Sequence, residues 1–401
     1  MSWRLPRLIP RSAPVILLVL TLGAAAGFAA VSHLVGRYNA NQQSRGRKLY
    51  QQGLTDAAAT RYDDAIDAFR AALTCDPANS QYQLSLARAL RDSNDPRRLD
   101  EAESYLIDLW QRAPQDAAVN LALARVAARR GSIEDATRYY HNAMYGVWNS
   151  DPDANRRKAR IELIQFLLKK GAPDKAESEL MALATALPPA SDAHLQAAQL
   201  FAQAQDYAGE LAQYEEVLHF DPTNSAALAG AGYAAYRAGN YTNARRYLQE
   251  AVNANPQDED SRQLLATAEL FLRNDPFAGH ISDAERNRRI AAAFAQAEKR
   301  LDECAQQKNI DLKATATPAA ASGSSSVPAP AASPLLALQS LWTEAKPDLA
   351  RLRSPAETDL PDAIMDVVLQ IERETSATCG PPEGLDLALL LISQKREVAN
   401  Q

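Results

Sequence analysis

Few features restrict a fold as tightly as a chain that repeats itself at a fixed interval. Between Gly46 and Asn255 a small residue is followed four positions on by a bulky one. Three further comes a small or apolar residue, and five further a Pro. The pattern reads Ala65-Phe69-Ala72-Pro77, Ala102-Leu106-Leu109-Pro114, Ala136-Tyr140-Ala143-Trp148, Ala176-Leu180-Leu183-Pro188, Glu210-Tyr214-Val217-Pro222 and Ala244-Leu248-Ala251-Pro256. Successive first positions lie 37, 34, 40, 34 and 34 residues apart. Like units that cannot bury an apolar face alone must stack to do so, which predicts an array of small helical units. Composition agrees: the chain is rich in Ala, Leu, Gln, Glu and Arg, which lose little rotamer freedom in a helix, and no stretch alternates as a strand does.

Each unit has its punctuation. Ahead of the motif in most units stands a small residue, at Gly53, Ala87, Ala124, Ala198 and Gly232, whereas the fourth unit has Ile164. Gly131, Gly171 and Gly239 mark turns. Asp76-Pro77, Asp221-Pro222 and Asn255-Pro256 stop one helix, because Pro lacks the backbone donor, and the Asn, Asp or Ser that follows caps the next. Two insertions break the interval, one near Asp92–Arg97 and one across Tyr145–Asn155, where Trp148 replaces Pro. Trp148 is expected to pack between units, with a partner contact by this loop as the alternative, and Glu210, where the other units have Ala, to loosen or rotate the fifth.

On these residues the chain resembles the tetratricopeptide repeat family, whose period is about 34 residues of helix–turn–helix. The resemblance implies an all-α, right-handed α-solenoid of about six repeats over 46–280. A helix at 281–312, opened by the capping box Ser282/Glu285 and carrying the stripe Ile290, Phe294, Ala297, Leu301, is expected to cap it. An Ala/Ser/Pro linker follows at 313–334, then an acidic helical segment at 335–401, which is expected to dock near the capping helix. Its helical periodicity covers Leu335–Leu352, Pro361–Thr375 and Leu385–Ile392.

A basic tail over 1–12 precedes an uncharged apolar segment at 13–36, long enough to cross a bilayer as one helix. The segment is read as an uncleaved anchor; a signal peptide cut near Ala24-Ala25-Ala26 is the alternative. Arginines flank the segment on both sides, so the positive-inside rule is nearly balanced, and the short basic tail places the repeats outside the cytoplasm, on the periplasmic side. Gly23 and Gly27 form a G-x-x-x-G that suits a helix dimer and hence a homodimer.

The formal charge of −6 and pI near 5.6 argue against nucleic acid as a partner. No phosphate-loop, dinucleotide, zinc-protease or nucleophile-elbow motif occurs, so neither a catalytic site nor a cofactor or metal is expected. Cys304 and Cys379 are a candidate disulfide, as an extracytoplasmic compartment permits. The family binds partner segments along its first helices, and that register puts Arg88, Arg91, Arg125, Lys158, Gln165, Gln199, Tyr233 and Tyr236 on the inner face. Such a face suits an extended acidic or amide-rich protein segment, or the chain's own C-terminal part as a lid. The family's carboxylate clamp is absent, since Tyr50, Leu54, Ser85, Ala118 and Ala122 hold its positions. The resulting expectation is a membrane-tethered scaffold or adaptor for envelope protein assembly or secretion. An oligomerisation component and an accessory subunit of an enzyme are the alternatives.

Overall fold

The computed structural model describes residues 13–93, 95–312, 334–352 and 359–399, and each regular element among them is a helix. The basic tail and nearly all of the linker expected from the sequence lie outside the described residues. The chain forms two compact units, one closing at Leu183 and one opening at Ala184.

The first unit begins with α1 (Ala13–Ala58), a single 46-residue helix. The apolar segment and the first repeat helix form one rod, unbroken between Gly36 and Gly46. α1 packs along α2 (Tyr62–Cys75), α3 (Ser80–Asp92) along α4 (Arg98–Arg112), and α5 (Ala117–Arg130) along α6 (Ile133–Tyr145). α7 (Pro152–Lys169) and α8 (Pro173–Ala184) make the fourth hairpin, whose backbones approach less closely than the others. The bulky, fully buried Ile164 occupies the position where the other hairpins carry Gly or Ala.

The repeat motif is the core. Ala65, Phe69, Ala72, Ala102, Leu106, Ala136, Tyr140, Ala143, Ala176 and Leu180 are all buried. The small first-helix residue and the bulky second-helix residue belong to one contact. A Cβ on Gly53 would lie 2.6 Å from the Phe69 ring, and one on Gly232 would lie 2.6 Å from Leu248 Cγ. Caps fall where the Pro-bounded turns place them: Asn79 accepts from the Gln81 and Tyr82 amides, and Asp116 from those of Ala118 and Val119. Gly131 and Gly171 hold the positive φ (81° and 68°) that closes the α5–α6 and α7–α8 turns.

The longer insertion is pinned. The Val147 amide donates to the Gln115 carbonyl at 2.8 Å, and the Val147 carbonyl accepts from Ala117 at 3.1 Å. Trp148 packs against the hydrophobic cluster around Tyr140 and Leu163 and donates Nε1 to the Ala143 carbonyl at 2.9 Å, while Tyr145 and Val147 stay exposed.

The second unit holds α9 (Ser191–Gln203), α10 (Tyr207–Phe220), α11 (Ser225–Arg237), α12 (Tyr241–Ala254) and α13 (Glu259–Asn274). α9–α10 and α11–α12 are hairpins, and α12 packs on α13. The loosening expected at Glu210 does not occur: α9 and α10 lie closely along each other, and the Glu210 side chain is buried between them. α14 (Asp283–Gln307) starts at Ser282, whose Oγ accepts from the Glu285 amide at 3.2 Å, and buries Ile290, Phe294, Ala297 and Leu301.

The C-terminal segment supplies α15 (Pro334–Ala345), α16 (Asp348–Arg351), α17 (Leu360–Cys379) and α18 (Gly384–Ala399). The single helical run expected over Leu335–Leu352 is broken at Lys346-Pro347, because Pro cannot donate into the ladder. α17 lies along α14, and α18 lies along α13, the place a second repeat helix would take. The end of the array is therefore closed by α14 together with the C-terminal helices in one core, where Trp342 stacks on Phe294 at 5.2 Å.

Candidate partner-binding faces

In the first unit, α3 carries Arg88 and Arg91, α5 carries Arg125, and α7 carries Lys158 and Gln165. Arg125 is committed within the fold. Its Nε and Nη2 donate to the two Glu162 carboxylate oxygens at 2.8 and 2.6 Å, tying α5 to α7. Burial lowers the Arg125 pKa, but the hydrogen bonds and charge of Glu162 outweigh it and hold the guanidinium above its ordinary value. The Tyr140 hydroxyl reaches the same carboxylate at 3.5 Å; burial, then the Glu162 charge, pushes its pKa up.

Arg91 is buried and donates to the Asp92 carboxylate at 2.7 and 2.6 Å, while its carbonyl accepts from Arg129. Arg88 differs. Its Nε is buried without a hydrogen bond, and its guanidinium forms no ion pair among the described residues. Burial, then the neighbouring charges of Arg125 and Arg91, lowers its pKa. Such a cation gains most from an incoming anion, because desolvation has already weakened its hydration. Lys158 and Gln165 are exposed.

The face is thus less basic than its sequence implies. What the sequence reading missed is Glu162, and the signal was there: an acid one helical turn before the position matching Arg125 on the next first helix. Near one end of α3 and α5, Ser80, Gln81, Leu84, Arg112, Ala118 and Asn149 line an open cavity of about 690 Å³. At the clamp positions Tyr50 and Ser85 are paired through their hydroxyls at 3.1 Å, while Ala118 and Ala122 offer no cation.

In the second unit, Gln199 on α9 and Tyr233 on α11 are exposed. Arg237 donates to the Tyr233 hydroxyl at 2.8 Å and covers the Tyr207 ring at 4.6 Å. Tyr236 meets the edge of Tyr241 at 5.4 Å, and Tyr241 stacks on Phe271 at 3.8 Å. Leu391, Gln394 and Lys395 of α18 join Tyr236 and Tyr241 around a cavity of about 360 Å³. The chain's own C-terminal helix therefore sits beside Tyr236.

Cys304 on α14 is joined to Cys379 at the end of α17, with Cα atoms 5.7 Å apart, while Cys75 is free. A Cβ added at Gly23 or Gly27 would meet nothing within 4 Å. No group of His, Cys, Asp and Glu suited to a metal occurs among the described residues.

The tetratricopeptide domain of cytochrome c-type biogenesis protein H matches residues 52–154, and a further tetratricopeptide repeat description matches residues 195–259. The chain is a tetratricopeptide-repeat protein. No curated protein matches this tetratricopeptide-repeat chain over its sequence. Among solved structures it is similar to PilF of Pseudomonas aeruginosa, at 15% identity and TM-score 0.37, covering 56% of this chain and 99% of that one. It is also similar to YrrB, described as a tetratricopeptide protein with an unusual peptide-binding site, at 18% identity and TM-score 0.35, covering 49% and 97%. A tetratricopeptide protein of Parabacteroides merdae is similar at 13% identity and TM-score 0.35, covering 62% and 92%. The repeat makes this chain a protein-interaction scaffold, and α1 is the one described helix long and apolar enough to cross a membrane.

Proposed function

We propose that this protein is a membrane-tethered adaptor that holds an acidic or amide-rich segment of a partner protein on the extracytoplasmic side, in the assembly or secretion of envelope proteins. The observation that carries the reading is Arg88, a half-buried guanidinium on the inner face of α3 with no ion pair among the described residues. A carboxylate or amide oxygen from a partner segment supplies the acceptor that the fold leaves out. Exposed Lys158 and Gln165 extend the same chemistry along the first unit, and exposed Gln199 and Tyr233 offer it in the second.

The rest of the setting follows from α1 and from the likeness of residues 52–154 to cytochrome c-type biogenesis protein H, which supports a role in maturing proteins outside the cytoplasm. A Cys304–Cys379 bridge fits that compartment, since disulfides persist where the surroundings oxidise.

The test is compartment-specific proximity labelling from the full chain in native membranes, repeated with Arg88→Glu/Lys158→Glu. Neither residue belongs to the Arg125–Glu162 pair, and thermal unfolding of the double variant, expected to match the wild type, checks that the fold is kept. The adaptor reading expects a partner set labelled outside the cytoplasm and lost in the double variant. An unchanged set removes the inner face from the reading, and cytoplasmic labelling removes the compartment.

A further inference from the structure

Charge is unevenly placed along this chain. Of its 43 Lys and Arg, seven precede Asp56, and of its 49 Asp and Glu, none does. The first 55 residues thus carry a formal +7 and the remainder −13. Four of the seven, Arg37, Arg45, Arg47 and Lys48, follow directly on the apolar run of α1.

The unbroken helix decides where they point. At 3.6 residues per turn, the four lie within about 80° of one direction. Gly46, Tyr50 and Gly53 lie on the opposite side: Gly46 faces Cys75 and Tyr82, and Gly53 faces the Phe69 ring. In this basic stripe Arg37 and Lys48 therefore lie on the side of α1 turned away from the repeat, and Arg45 and Arg47 flank them, about 80° to either hand. All four cations are exposed, and none forms an ion pair among the described residues. Several other arginines of the same unit are committed: Arg61 to Asp56, Arg70 to Glu101, Arg98 to Asp63 and Arg125 to Glu162. Arg47 shares a depression with Asp76 and still does not pair with it.

Distance along the helix sets what the stripe can meet. At 1.5 Å per residue, Arg37 stands about 3 Å beyond Val35 and Lys48 about 20 Å beyond it. A headgroup layer adds roughly 5–8 Å to each side of the hydrocarbon. Long side chains on a helix lean towards its N-terminus, here towards the bilayer, and a helix tilt of about 20° to the basic side lowers the stripe further. Exposed Tyr38 marks the boundary, with the kind of side chain that settles at a membrane interface.

We infer that Arg37, Arg45, Arg47 and Lys48 form a headgroup-binding face that takes anionic phospholipid from the leaflet on the repeat side. The inference rests on α1 being an uncleaved membrane span. Continuity with the span and unopposed positive charge both select lipid as the occupant. Because α1 is rigidly part of the first hairpin, the contact fixes how that hairpin is turned relative to the membrane.

The full chain is reconstituted in phosphatidylcholine vesicles with about one-third phosphatidylglycerol, extracted in mild detergent, and its retained lipid quantified. Roughly fivefold enrichment of phosphatidylglycerol over the bulk ratio is expected, falling to the bulk ratio in Arg37→Gln/Arg45→Gln/Arg47→Gln/Lys48→Gln and at high salt. An Arg-to-Lys set at positions 37, 45 and 47 keeps the enrichment. Equal retention by wild type and the Gln variant, or no enrichment in either, overturns the headgroup face; an acidic protein segment as occupant gives the second result. Flotation on pure phosphatidylcholine vesicles at high salt separates the two ideas. A chain that does not float denies the span, whereas one that floats without enrichment denies the face alone.

Discussion

Two carboxyl groups sit where water has been removed. Glu210 occupies the slot that is Ala in the other repeats; burial raises its pKa to about 7, with the Arg237 charge opposing, and its Oε2 has no hydrogen bond. Glu372 on α17 is fully buried, and neither oxygen has a partner among the described residues. Burial, then the Asp386 charge, raises its pKa to about 8, against the pull of Arg300. In both, the folded pKa lies above the unfolded value of about 4.5, so folding favours the protonated form. The stability is full below about pH 4.5 and is lost as pH rises, through about 7 for Glu210 and about 8 for Glu372. Glu372→Gln should therefore raise the melting temperature at pH 8, by about 2–4 kcal/mol of stability, and leave it unchanged at pH 4.5. Glu210→Ala should do the same more weakly, about 1–3 kcal/mol, with its gain complete by about pH 7. Thermal unfolding followed from acid to alkaline pH checks both, and a gain independent of pH would count against the carboxyl explanation. Glu210 was legible as an oddity, since it breaks the motif. Glu372 was not: nothing in an ordinary helical sequence announces that α14 and α18 will cover it.

At the scale of elements the repeat wrote most of the structure in advance. Hairpins, caps and glycine turns all follow from residues a few positions apart, which is why Asn79, Asp116 and Gly131 fall where local chemistry puts them. The small-to-bulky contact shows how tightly the hairpins depend on this. A Cβ at position 232 meets Leu248 Cγ at 2.6 Å and the Leu248 backbone nitrogen at 3.1 Å, and the backbone cannot yield as a side chain can. Gly232→Val should cost about 1–3 kcal/mol or more through overpacking, measured by urea unfolding. Gly27→Val, with open space around it, should leave the same transition unmoved. Equal effects would mean that helix propensity, and not the close approach, governs position 232. Where the expectation failed, the cause was again physical: Pro347 cuts a run whose apolar spacing looked continuous.

The molecule as a whole depends on one pairing that no local pattern specifies. α13 is completed by α18, more than a hundred residues later, so the closing of the second unit joins elements that sequence proximity keeps apart. The faces in the two units were legible only as a register. Which of their charges are spent inside the fold depends on partners such as Glu162 that only packing brings near. The Cys304–Cys379 bridge acts on this long-range closure. It spans 75 residues, and a link of that length restricts the unfolded chain by about 3–5 kcal/mol in the chain-entropy account. Its place between α14 and α17 concentrates the effect on the helices that hold α18 in position. Reduction, or Cys379→Ser, should lower the melting temperature and open α17 and α18 to hydrogen exchange, while α2 to α6, in the other unit, keep their protection. Cys75→Ser, which touches only the free thiol, is the control and should change neither. If reduction leaves exchange in α17 and α18 at its oxidised level, the core around Trp342 and Phe294 alone secures the closure, and the bridge adds nothing to it.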